Sequence, residues 1–177
     1  MAQSALMTAH AITLRLAVTR DARAIAEMSR DLIESGLGWK YDAGRILHAI
    51  DDRETVTLVA SDEGRRSLGA LAGFAIMEFG EDRAHLVLLA VRPTHRRRGI
   101  GRRLLEWLVQ SARTAGVRSL HLELRANNEA ARAFYRAMGF SETILVPGYY
   151  RGRESALRMI RMVSKPVEVP FLWQPPK

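Results

Sequence analysis

The chain has 177 residues, 47% of them hydrophobic and 26% charged, which reads as one soluble domain long enough to bury a core. It contains no cysteine, which excludes a thiol nucleophile, a disulfide framework and cysteine-based zinc sites; its five histidines form no HxH or HxxxH array, which argues against a metal site. The formal charge is +8 and only Lys40, Lys165 and Lys177 are lysine, so the basic surface is almost all arginine, suited to an acidic ligand, nucleic acid or ribosomal material, or simply to solvated helix faces.

Residues 1–11 read as a flexible N-terminus. They lack the basic-then-apolar order of a signal peptide, and no run in the chain approaches the ~18 apolar residues of a membrane span, so a cytoplasmic location is expected. Ile12 to Ala17 alternates apolar and polar residues and predicts a strand. Thr19 is placed to cap a helix from Arg20 to about Glu34, with Ala24, Ile25, Met28 and Leu32 as its apolar stripe and Gly36 ending it. Ser35 to Trp39 is a glycine-hinged loop whose Trp39 either binds a partner or plugs the edge of the core. Tyr41 to Ile50 predicts a second short helix.

Thr55 to Ala60 is a β-branched strand, Asp62 to Arg65 a hairpin turn, and Leu68 to Phe79 a long strand with Gly69 and Gly73 as possible bulge sites. After a turn at Gly80 to Asp82 comes an apolar strand ending at Val91, then a turn rich in arginine and glycine, then a helix from Ile100 to Ala115 stopped by Gly116. Val117 to Arg125 alternates, with His121, Glu123 and Arg125 on its polar face. Asn127 or Asn128 caps a helix through Met138, and Gly139 ends it. Phe140 to Val146 is a strand, Pro147-Gly148 a turn, Tyr149-Tyr150 follow, and Glu154 to Val163 is the last strand. Residues 12–165 form the domain, and 166–177 read as an irregular proline-rich tail. The predicted order is βααβββαβαββ, an α/β single domain with a mixed sheet of about seven strands flanked by about four helices.

The chemistry concentrates at residues 84 to 104. A strand that runs through a glycine-rich basic turn into a helix aims free backbone N–H groups, and the positive end of the helix dipole, at an anion. Gly99 and Gly101 open the backbone, and Arg96, Arg97, Arg98, Arg102 and Arg103 add charge. Gly99-Ile-Gly-Arg-Arg-Leu104 is not a dinucleotide fingerprint, because Leu104 stands where the third glycine is required and a long meander precedes the motif. No GxxxxGK[ST] loop occurs. No aromatic is interleaved with Arg96 to Arg103, so a stacking platform for nucleic acid is missing there.

Arg96-x-x-Gly99-x-Gly101, after a strand ending Ala-Val-x-Pro, resembles the acetyl-coenzyme A loop of the GNAT N-acetyltransferases. Within that family, the run Leu122 to Phe140, with Tyr149-Tyr150 and Ala156-Leu-x-Met159, is most similar to the branch that acetylates the N-terminal alanine of a ribosomal protein. The resemblance implies a GNAT fold and acetyl-CoA as co-substrate, with no metal. It implies that Leu89, Ala90 and Val91 bond the pantetheine arm, that Arg96, Arg97, Arg98, Gly99, Ile100, Gly101 and Arg102 hold the pyrophosphate, and that Asn128 contacts the cofactor as well as capping its helix. It further implies Glu123 as base, Tyr135 as acid, and Tyr149 and Tyr150 around the acceptor, with Trp39 of the glycine-hinged loop as a further candidate there.

Chemically, an α-amine with pKa ~7.7–8.0 is partly neutral near pH 7.4, whereas a lysine amine near ~10.4 costs roughly 4 kcal/mol to deprotonate there. An N-terminal amine of a protein, such as a ribosomal protein, is therefore the expected acceptor. A small amine (a polyamine, an antibiotic or an amino-acid derivative) is the alternative, and a non-catalytic RNA- or ribosome-binding module a third. The sequence departs from the branch where Tyr150 to Glu154 is short, where Ser155 replaces an acidic residue, and where Gly36 to Trp39 replaces a Pro-Trp element.

Overall fold

The computed structural model describes residues 11–62 and 71–163. The predicted turn beyond Asp62, Gly69 and the proline-rich tail lie outside the described residues. Among the described residues, seven strands and four α-helices follow one another as β1 (Ile12–Leu16), α1 (Ala22–Leu32), α2 (Ala43–Asp51), β2 (Thr55–Asp62), β3 (Leu71–Phe79), β4 (Arg83–Val91), α3 (Ile100–Thr114), β5 (Ser119–Arg125), α4 (Glu129–Ala137), β6 (Ser141–Tyr150) and β7 (Glu154–Met162). The strands form a single sheet in the order β1-β2-β3-β4-β5-β7-β6. Only the β4–β5 pair is parallel.

Two apolar clusters sandwich the sheet. On one face α3 contributes Ile100, Leu104, Leu105, Leu108 and Ala112, packed with Leu120, Leu122 and Leu124 of β5. On the other, Ile25 and Met28 of α1 and Ile46 of α2 cover Phe74 and Ile76 of β3 and Leu88 and Ala90 of β4. Because β5 presents its leucines to the α3 face, His121, Glu123 and Arg125 point to the α1 side, as strand alternation requires.

Strand β4 changes face partway. Its register against β3 slips between the pairs Ile76–Leu88 and Met77–Leu86, leaving Val87 as an extra residue. Ala84 and Leu86 therefore face α3 while Leu88 and Ala90 face α1. A second bulge, at Ala72, lies next to Gly73, whose added Cβ would meet the Ala90 carbonyl oxygen at 2.9 Å and Leu104 Cδ1 at 3.3 Å. Gly73→Ala is expected to destabilise the protein by about 2 kcal/mol, since backbone must move to admit the methyl. Denaturant unfolding measures this.

Two local expectations are corrected. Thr19 does not cap a helix from Arg20: Thr19–Asp21 is one 3-10 turn, and α1 begins at Ala22. Asp21 organises this start instead, accepting from Val18 N–H at 2.8 Å and pairing with Arg15 at 2.6 Å. Pro147-Gly148 is not a turn either. β6 runs on through it with an irregular register, and the reversal comes later, where Arg151 (φ 53°) and Gly152 (φ 71°) take left-handed conformations. Proline is tolerated because β6 is the edge of the sheet, where one row of backbone groups needs no strand partner.

Candidate active site

β4 and β5 pair only over Arg83–Ser119, Ala84–Leu120 and His85–His121. Beyond these three residues the strands part, so the β5-side backbone edge of Leu86 to Val91 faces a gap. A cavity of about 490 Å³ occupies the gap, lined by Leu86 to Leu89 on one wall and by Glu123, Leu124 and Arg125 on the other. A second cavity, of about 530 Å³, adjoins it at Leu89, Asn128 and Tyr135 and extends over Ala90 and Val91 to the arginine loop.

That loop leaves β4 through a 3-10 turn at Pro93–His95. Arg97 (φ 61°) and Gly99 (φ 74°) both adopt left-handed conformations, which turns successive backbone N–H groups toward one side as in an anion-binding nest. Gly99 is the N-cap of α3, and the first bond of that helix runs from Arg103 N–H to Gly99 O, so the N–H groups of Ile100, Gly101 and Arg102 have no partner within the helix. Arg96, Arg97, Gly99, Ile100, Gly101 and Arg102 line the cavity; Arg98 does not. A long ligand with an apolar arm and a phosphate-bearing end matches this pair of cavities, so the residues fit the acetyl-CoA expected from the sequence.

Tyr135 lies where the two cavities meet, 8% exposed, with its ring edge-on to Phe134 and Phe140. Among the described residues its hydroxyl has no hydrogen-bond partner. Burial pushes its phenol well above the ordinary value, so the proton stays on Oη at any physiological pH. Asn128 does cap α4, accepting from Ala131 N–H through Oδ1 at 3.1 Å, and lines both cavities. Its side-chain amide donor remains available for a ligand.

Glu123 forms the wall between the gap and a further cavity of about 500 Å³ that also contains Glu78, Arg83, His85, His121 and Arg158. It does not pair with Arg125, its neighbour on the strand. Oε2 is 2.7 Å from His85 Nε2, and Oε1 accepts from Arg158 Nε at 2.9 Å. The hydrogen bond from His85, with Arg158 adding to it, holds the Glu123 carboxyl below the usual carboxylate range. The same bond raises His85 above its ordinary value.

Arg125 ties the acceptor side together. Its guanidinium donates to the Ile33 and Ser35 carbonyls after α1 and to Glu154 of β7. Glu34, buried, completes the loop by accepting from Ser29 Oγ and from the Lys40 and Tyr41 N–H groups. Arg125→Ala should raise the acceptor KM by about tenfold, roughly 1.4 kcal/mol, and leave acetyl-CoA affinity unchanged. Steady-state kinetics with calorimetry check this.

Of the expected acceptor aromatics, Tyr150 lines the gap. Tyr149 packs edge-on against it at 5.0 Å and is 44% exposed. Trp39 lines none of these three cavities; its indole N–H bonds Tyr41 O and Arg30 stacks over its ring at 5.5 Å. His85 and Arg158 were missed by sequence reasoning. A lone polar side chain inside Ala84-His85-Leu86 was the signal available for the first.

The description of the acetyltransferase (GNAT) family matches residues 22–140. The "[Ribosomal protein bS18]-alanine N-acetyltransferase" of Escherichia coli (strain K12) is 41% identical over 115 residues, covering 59% of this chain and 78% of that protein. The "N-alpha-acetyltransferase RimI" of Mycobacterium tuberculosis is 35% identical over 146 residues, covering 79% of this chain and 85% of that one. The crystal structure of the Escherichia coli ribosomal-protein-S18-alanine N-acetyltransferase superposes with a TM-score of 0.75 at 29% identity, over 90% of this chain and 98% of that one.

Proposed function

The chain belongs to the acetyltransferase (GNAT) family and is an acetyl-CoA-dependent N-acetyltransferase, and from that premise we propose that its acceptor is the N-terminal α-amine of a protein, a ribosomal protein foremost. The observation that carries the reading is the parting of β4 and β5, which joins the arginine loop on one side of the sheet to Glu123 on the other. The named activities of the relatives support the acceptor class, and Tyr150 beside the loop held by Arg125 supplies an aromatic wall for a peptide.

Acetyl-CoA supplies the acetyl group as an activated thioester. In this reading Arg96, Arg97 and Arg102 and the free N–H groups of the α3 first turn hold its phosphates, and the edge of Leu89 to Val91 that β5 leaves open, where Val91 O accepts from Arg96 Nε, takes the pantetheine amides. Asn128 contributes its amide donor. Tyr135 keeps a proton for the leaving sulfur, and Glu123 marks the side on which the amine gives up its own.

The test is a thiol-release assay across N-terminal peptides and small amines. Turnover on peptides with free α-amines, and its loss on N-blocked ones, is expected. Turnover confined to polyamines or other small amines would overturn the acceptor assignment.

A further inference from the structure

Glu123 is poorly placed to keep a proton. Both of its oxygens are engaged, one by Arg158 and one by His85, and the hydrogen bonds from these two donors stabilise its ionised form. The group beside it has the opposite properties. His85 is the last β4 residue paired with β5, at the closed end of the gap. Its Nε2 faces Glu123 Oε2 at 2.7 Å; beside an ionised carboxylate Nε2–H is the donor, and in the neutral ring the lone pair is then on Nδ1. Among the described residues Nδ1 has no hydrogen-bond partner, and the ring lines the cavity that Glu123 separates from the gap. A carboxylate fixing an imidazole tautomer, with the other nitrogen presented to a cavity, is the arrangement of a histidine base and its orienting acid.

We propose that His85 takes the proton of the acceptor amine at Nδ1, through water that passes Glu123 from the gap to the adjoining cavity, and that Glu123 orients the ring. This rests on the acetyl-transfer reading of the gap. As the amine nitrogen bonds the acetyl carbonyl carbon, its proton passes by water to Nδ1, and the carbon–sulfur bond breaks with its electron pair leaving on sulfur. The product is the amide, the thiolate held by the Tyr135 hydroxyl, and a His85 imidazolium against the Glu123 carboxylate. Three charged groups act on His85, Glu123 from β5, Glu78 from β3 and Arg158 from β7, while His121 of β5 and Arg83 of its own strand line the same cavity. Glu123 and Glu78 raise its proton affinity, and Arg158 lowers it.

The experiment is a pH–rate profile of kcat at saturating acetyl-CoA, run with two peptides whose α-amines differ in pKa. Wild type is expected to rise along a limb with its midpoint above 6.5 that does not move with the peptide. His85→Gln can still donate to Glu123 but cannot take a proton; it should lose about 10²-fold in kcat and lose the limb, with acceptor KM and acetyl-CoA binding by calorimetry unchanged. Imidazole should restore His85→Ala. In Glu123→Gln the residual limb should move to lower pH, because the imidazolium has lost its anion. Wild-type kcat and an unmoved limb in His85→Gln overturn the proposal and leave the acetyl-transfer reading intact. Absence of acetyl-CoA-dependent thiol release from wild type with every amine overturns both.

Discussion

Glu123→Gln is expected to lower kcat by about 10²–10³-fold with little change in acetyl-CoA affinity. The glutamine keeps the shape of the wall between the two cavities. It removes the charge that holds His85 and receives Arg158, so proton removal from the amine suffers while the arginine loop, on the other side of the sheet, is untouched. Single-turnover rates with calorimetry separate these effects; unchanged turnover would remove Glu123 from the chemistry.

The same substitution has a stability signature. The Glu123 carboxyl is depressed below its ordinary 4.5, so its contribution is present above that value and lost as pH falls through the lower folded-state midpoint. His85 is raised, so its contribution is full below 6.5 and lost as pH rises through its higher folded-state midpoint. The stability gap between wild type and Glu123→Gln should therefore be widest between these limits. It should narrow above the His85 midpoint, where only the Arg158 bond remains, as denaturant unfolding at pH 5.5 and pH 9 would register.

The arginine loop was legible in the sequence because its signals are local. Gly99 and Gly101 mark positions in a few consecutive residues, and a strand–turn–helix order needs no distant partner. The seven-strand order was legible for the same reason: period-two and helical patterns are properties of each segment. What escaped was set by contacts between segments. The Val87 bulge is a register event between β3 and β4, and nothing in Leu86-Val-Leu-Leu89 announces it. Glu123 reads locally as a neighbour of Arg125. The sheet instead sets His85 beside it on one side and Arg158 on the other, 38 and 35 residues away in sequence. Pro147-Gly148 carries strong turn chemistry, yet an edge strand absorbed it, and the reversal went to Arg151 and Gly152.

Tyr135→Phe should cost about 10²-fold in kcat, near 2.7 kcal/mol of barrier, while acetyl-CoA and acceptor binding change little. Burial raises the phenol, so full proton transfer to a thiolate, whose conjugate acid has pKa ~8.5, runs uphill. The hydroxyl is then of most use as a preorganised hydrogen-bond donor in a water-poor place, effective as negative charge gathers on sulfur. Two readouts distinguish this from a packing role. First, the hydroxyl has no partner among the described residues, so its removal frees no buried acceptor, and stability should change by less than about 0.5 kcal/mol. Second, a donor that matters only to the leaving group should be felt less with a thioester whose thiol is more acidic. The Tyr135→Phe penalty should shrink toward unity on such a donor; an equal penalty on both would place the loss elsewhere, in the edge-on packing of Tyr135 between Phe134 and Phe140.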